Sequence, residues 1–146
     1  MLYIDTSVLL VYTLTQALEP GRYQHTAKFV AKIVDGSLSA ATSFYALHEV
    51  HLFAIENAPN FRVGTAYGKA ALEKILALPL QLLPLITRED RTRHARTFSA
   101  LRDASDLPRA IAALVYGCDA IVAYDEHFDA IAAVISHTQP QDYVRK

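Results

Sequence analysis

The sequence predicts one α/β domain, a sandwich whose short, mostly parallel sheet is flanked by helices. Two observations predict it. Short apolar runs (LYI from position 2, LSAAT from 38, LQLLPL from 80, AIVA from 120) alternate with longer segments whose apolar residues recur at helical spacing. Strands separated by helices are joined by crossovers, and crossovers pair strands in parallel. A third observation sets the scale: 146 residues, 52% apolar and 20% charged, fit one domain with a real core, residues 1–146, and exclude disorder.

Leu2 to Ile4 reads as a buried strand and Ser7 to Leu14 as the helix after it. Residues 15–24 contain Pro20 and Gly21 and read as a loop. His25 to Val34 carries apolar residues at 27, 29, 30, 33 and 34, a helical spacing closed by Asp35-Gly36. Leu38 to Thr42 is a second strand, Ser43 to Asn57 a helix apolar over much of its circumference, and Phe61 to about Ala77 a further helix ended by Pro79. Leu80 to Leu85 is a strand in which Pro84 marks an end or an edge. Thr87 can cap an Arg-rich helix reaching about Leu101, with Glu89 and Asp90 favourable at its positive end. Asp106 starts another helix, Pro108 is tolerated in its first turn, and Gly117 stops it. Ala120 to Ala123 is the last apolar strand, followed by Asp125.

Composition excludes several classes. No apolar stretch approaches the roughly 18 residues of a membrane span, and no positive charge precedes the apolar N-terminus as in a secretory signal. One cysteine, Cys118, rules out an internal disulfide and a cysteine-based zinc site, so a reducing, cytoplasmic setting is expected. Net charge is −1, so the whole chain is no polycation. Six arginines (88, 91, 93, 96, 102, 109) against four acids between positions 88 and 109 read either as a solvated helix face or as a basic strip.

Acids stand where chemistry would need them. In a parallel sheet the strand C-termini share one edge. Asp5 follows the first strand, Asp125 follows AIVA by two residues, and Asp106 opens the helix feeding that strand. Glu49 lies inside FYALHEVHLFA, where nearly every neighbour is apolar. Asp5, Asp106 and Asp125 are also plausible helix or turn caps, whereas a glutamate in an apolar helix is rarely buried without a partner. Converging carboxylates repel, and a divalent cation removes the conflict. Oxygen ligands without a Cys or His cluster suit Mg²⁺ or Mn²⁺.

IDTSVLL at the start, ALHEV around position 49, SDLPRAIAAL from 105 and AIVAYDEHFDAI from 120 resemble, in order, the four acidic motifs of PIN-domain nucleases, especially compact VapC-type toxins. The likeness spans residues 2 to 131. It implies a metal-dependent ribonuclease with Asp5, Glu49, Asp106 and Asp125 around Mg²⁺ or Mn²⁺, acting on RNA and leaving 5′-phosphate and 3′-hydroxyl ends. It also implies a homodimer and, for toxins, a small antitoxin protein that blocks the site. Many members carry Thr or Ser two residues before the last acid; here that residue is Ala123, while Ser7 matches the small polar residue after the first acid. Tyr124 suits either stacking on an unpaired base or packing at a strand end, His127 reads as a surface or capping residue rather than a ligand, and Asp129 is a candidate for the acidic rim.

Other classes fit less well. A haloacid-dehalogenase-like phosphatase needs a second acid two residues after the first, where this chain has Ser7. A receiver domain needs an Asp after its third strand, and LQLLPLIT ends without one. The remaining alternative is a non-catalytic PIN-fold module that binds RNA or protein; Ala123 favours it and four retained acids oppose it.

Overall fold

The computed structural model describes residues 1–145. Its strands are β1 (Leu2–Ile4), β2 (Ala40–Ser43), β3 (Gln81–Leu83), β4 (Ala120–Val122) and β5 (Ser136–Thr138). Its α-helices are α1 (Thr6–Thr13), α2 (Pro20–Val34), α3 (Phe44–Glu56), α4 (Phe61–Leu76), α5 (Arg88–His94) and α6 (Asp106–Val115), and 3₁₀ segments cover Glu126–Ile131 and Pro140–Tyr143. The sheet order is β3-β2-β1-β4-β5, and every pairing is parallel.

Side chains alternate across a strand, so even three-residue strands feed two cores. Leu2, Ile4, Ala40, Ala120 and Val122 pack with Val8, Phe29, Ile33, Val50 and Ile75 of α1 to α4. Tyr3, Ala41, Ile121 and Ala123 pack with Ala110, Ile111, Phe98, Phe128 and Ile131 on the other face. Each fully buried Val, Leu, Ile or Phe contributes about 1.5–3 kcal/mol. That two-sided burial holds strands too short to persist on backbone pairing alone.

The chain moves outward from β1 to β2 and β3, then returns to the far side of β1 as β4. The order of strands therefore reverses between β1 and β4, and open α/β sheets bind ligands outside the carboxyl ends at such a point. α6 begins at that edge and runs back to the opposite one, where Gly117, at φ 74°, turns the chain into β4.

Several boundaries differ from the sequence expectation. α2 starts at Pro20 rather than His25: Pro20 occupies the first helical turn, where its fixed φ is already helical and its missing N–H is not needed. β2 extends through Ser43, which also caps α3 by accepting from Ala46 N at 3.3 Å. The Arg-rich helix ends at His94 instead of near Leu101; Thr87 caps it, accepting from Asp90 N at 3.0 Å, but the helix buries no residue that would extend its hold on the core. β5 was not expected, because its sequence SHT is polar and partly exposed, as an edge strand's can be.

Candidate active site at the carboxyl edge of the sheet

Asp5 ends β1 and caps α1. Its Oδ2 accepts from Ser7 N at 3.2 Å and from Ser7 Oγ at 3.1 Å. Ser7 Oγ in turn accepts from Tyr124 N at 2.9 Å, tying α1 to the chain leaving β4. The hydroxyl after the first acid thus braces both acid-bearing loops, while Ala123 is fully buried in apolar surroundings.

Asp106 stands at the start of α6, near the positive end of the helix. One turn on, Arg109 is 4% exposed and lies between the acids. Its Nη1 donates to Asp5 Oδ1 at 2.7 Å and to Thr6 Oγ1 at 2.8 Å, its Nε donates to Ser105 O at 3.3 Å, and its Nη2 donates to Asp106 Oδ1. The guanidinium carbon sits 5.9 Å from the centre of the Phe128 ring. Asp5 and Asp106, each 1% exposed, are therefore joined through a buried cation. Burial works against the charge on Arg109, but Asp5, then Glu49, Tyr3 and Asp106 hold it, and its pKa rises.

Asp125, at the end of the loop after β4, caps the 3₁₀ segment by accepting from His127 N at 2.9 Å. The His127 imidazole is exposed and reaches back over the rim: its Nδ1 lies 3.2 Å from both Asp106 Oδ2 and Asp125 Oδ1. The bond to Asp106 and the charge of Asp125 raise the His127 pKa. Burial raises that of Asp106, opposed by Arg109 and His127. Glu49, on α3, is half-buried and close enough for its charge to act on Arg109.

Three of the four acids expected from the sequence thus lie around two basic side chains: Asp5 and Asp106 meet through Arg109, and Asp106 and Asp125 through His127. Glu49, on α3, makes no ion pair with either among the described residues, and only its charge acts on Arg109. The sequence reading missed two participants. The sequence sets Arg109 among six arginines that read as a solvated face or a basic strip, and its burial removes it from both. Its signal was its position in the apolar stretch LPRAIAAL, one turn from Asp106. Asp103, exposed beside Asp106, was the other. Tyr124 packs at the strand end: it is 5% exposed, shares a 2.7 Å hydrogen bond with Thr26 Oγ1 and donates to Arg22 O at 3.0 Å, so its ring is not free to stack on a base. Asp129 turns away to His137, whose Nδ1 is 2.7 Å from its carboxylate.

Asp103, Asp106 and His127 each bring a ligand atom within 4.8 Å of the others, with Asp125 on the same imidazole. Carboxylates plus one imidazole suit a divalent cation on this outer, solvent side of Asp106. A shallow cavity of 380 Å³ lined by Ala100, Arg102, Glu126, His127 and Ala130 opens beside it. The inner side, between Asp5 and Asp106, is filled by the Arg109 guanidinium.

The fold has counterparts among solved structures. A chain of VapBC2 from Rickettsia felis, solved bound to a DNA fragment from their promoter, aligns over 95% of this chain and 98% of its own, with TM-score 0.63 and 17% identity. The fold is that of a VapC-type PIN domain. VapC20 of Mycobacterium tuberculosis, a Sarcin-Ricin loop cleaving toxin, aligns over 92% of this chain and 96% of its own, with TM-score 0.60 and 16% identity. No family model matches the sequence, and no curated protein matches it. At such identities the likeness establishes the PIN fold, and activity has to be argued from the site. No helix among the described residues is long and apolar enough to cross a membrane.

Proposed function

We propose that the chain is a Mg²⁺- or Mn²⁺-dependent endoribonuclease acting on single-stranded or loop RNA, and the toxin of a toxin–antitoxin pair. One observation carries this reading: Asp5, Asp106 and Asp125 come together at the carboxyl ends of β1 and β4, where the strand order reverses. VapC20, with the same fold, is described as cleaving the Sarcin-Ricin loop, which supports RNA as the substrate.

A divalent cation held on the outer side of Asp106, beside Asp103, Asp125 and His127, would supply Lewis-acid polarisation of water and of the scissile phosphate. The chain's own residues do the rest. Asp106 and Asp125 present oxygens to the solvent side, where substrate arrives. Asp125, the less buried of the two, is placed to take a proton from attacking water. Asp5 and Glu49 keep Arg109 charged, and Ser7 fixes the Asp5 carboxylate. A homodimer and a small antitoxin that presents a basic side chain to the acids complete the proposal; a cation on that segment would be drawn to the same edge.

A second reading, a non-catalytic PIN-fold module that binds RNA or protein, is favoured by the Arg109 bridge, which neutralises part of the acidic cluster without metal. Induction of wild type beside Asp5→Asn and Asp106→Asn separates the two. Growth arrest and discrete RNA cuts by the wild type alone are expected, with purified protein cleaving RNA in Mn²⁺ and not in EDTA. Equal growth of all three, with RNA left intact in Mn²⁺, would establish the binding module instead.

A further inference from the structure

We propose that Arg109 is the resident inner cation of the acidic site, holding the place between Asp5 and Asp106 so that a divalent ion is admitted only on the solvent side of Asp106. The inference rests on the reading of this edge as a cation site, and it assigns to the chain itself a charge that acidic clusters ordinarily take from solution.

Geometry carries it. Both Asp5 oxygens are engaged by chain donors: Oδ1 by Arg109 Nη1 at 2.7 Å, Oδ2 by Ser7 N and Oγ at 3.2 and 3.1 Å. Asp106 gives Oδ1 to Arg109 Nη2 and turns Oδ2 outward to His127. A guanidinium has five N–H donors, and here four of them go to Asp5, Thr6, Asp106 and Ser105 O, with Phe128 beside the planar group. A cation so satisfied, at 4% exposure, resists displacement. An ion entering between Asp5 and Asp106 would have to expel a charge bonded on several sides and packed against the fully buried Phe128 ring. On the outer side nothing comparable stands in the way: His127 is exposed, and its ring can rotate off Asp106.

Arg109 also explains how the apo fold tolerates two buried carboxylates. Like charges placed together suppress ionisation of one another, and a guanidinium bridging them offsets that repulsion at every metal concentration. The acidic site is thereby preformed before any ion binds.

The test counts ions and watches the guanidinium. Mn²⁺ uptake by the full chain, read by loss of the free-ion EPR signal and by calorimetry, is compared for wild type, Arg109→Met and Arg109→Lys. Wild type is expected to take one ion; Arg109→Met is expected to take a second, or to bind the first at least tenfold more tightly, and to gain more in thermal midpoint from Mn²⁺ than wild type does. Equal stoichiometry and affinity in wild type and Arg109→Met would overturn the inference while leaving the cation site intact. No uptake by either would instead remove the cation-site reading. Should Arg109→Met fail to fold, the wild type still decides. Its buried Arg109 Nε–H resonance, identified by its absence in Arg109→Lys, is expected to persist with slow solvent exchange at saturating Mg²⁺. Its collapse into the exposed arginine signals on adding Mg²⁺ would show the guanidinium displaced and the inference wrong.

Discussion

Tyr3 and Cys118 carry ionisable groups into the core and keep their protons there. Burial first, then the charge of Asp5, pushes the Tyr3 hydroxyl far above its ordinary value, despite a 2.7 Å hydrogen bond to Ser43 Oγ. Burial likewise pushes the Cys118 thiol from 9.0 up to about 11. In that window the unfolded chain has lost protons that the native chain keeps, so stability must fall as pH rises. Below about pH 9 the Cys118 contribution is flat; between 9 and 11 it declines. Urea unfolding of the metal-free protein at pH 8 and pH 10.5 is expected to show this decline, and Cys118→Ala is expected to lose less over the same interval. An equal loss in both would assign the slope to other groups. Among the candidate acids, Asp5 and Glu49 stand out in the sequence because each interrupts an apolar run, and Asp106 and Asp125 because one opens a helix and the other follows a strand, which are local patterns. Arg109 obeys the same rule, a charge inside LPRAIAAL, yet it stands among five other arginines in the sequence. Those five are exposed and only Arg109 is buried, a difference set by the two carboxylates it bridges.

Elements were legible where one physical signal dominated and blurred where two competed. β1, α6 and β4 are strongly apolar and bounded by Asp5, Gly117 and Asp125, and the sequence places them within a residue or two. Pro20-Gly21 is a turn signal by composition and a helix start in the fold, because proline suits both. β5 could not be found from periodicity, since SHT owes its place to pairing with β4, where Ala120, Ile121 and Val122 face Ser136, His137 and Thr138. The α3–α4 hairpin depends on close approach. A Cβ on Gly64 would lie 2.7 Å from Ile55 Cα and 3.0 Å from Ala54 O, both backbone atoms that cannot rotate aside. Gly64→Ala is therefore expected to destabilise the protein by about 1–3 kcal/mol, the usual penalty of overpacking, despite alanine's better helix propensity. Gly21→Ala, with nothing within 4 Å of the added Cβ, is the control and should be neutral or slightly stabilising. A thermal midpoint unchanged by Gly64→Ala would mean that the two helices separate without loss.

At the scale of the molecule, the net charge of −1 hides an uneven surface. Acids gather at the carboxyl edge, while Arg88, Arg91, Arg93, Arg96 and Arg102 are all exposed, and Arg102 lines the cavity next to His127. In the proposed ribonuclease, RNA bringing a phosphate to the acids would have to be held by cations outside them, since Arg109 is buried and already bonded. Arg102 lies beside that edge, and in the proposed homodimer we take the exposed arginines of α5 with it as one wall of a groove beside each site. Each phosphate neutralised on a single strand releases counterions, giving a log–log salt slope of about −0.7 per contact. Exchange of Arg91, Arg93 and Arg96 for Gln removes at most three contacts, so the slope is expected to flatten by up to about 2 while affinity falls. Binding measured from 50 to 300 mM salt on an Asp106→Asn background avoids cleavage during the titration, and sedimentation equilibrium of the same samples reports whether the binding species is a dimer. Unchanged affinity and slope in the triple variant would return the arginines to a solvated helix face. A monomer that still binds with the full slope would keep the strip and remove the groove between subunits.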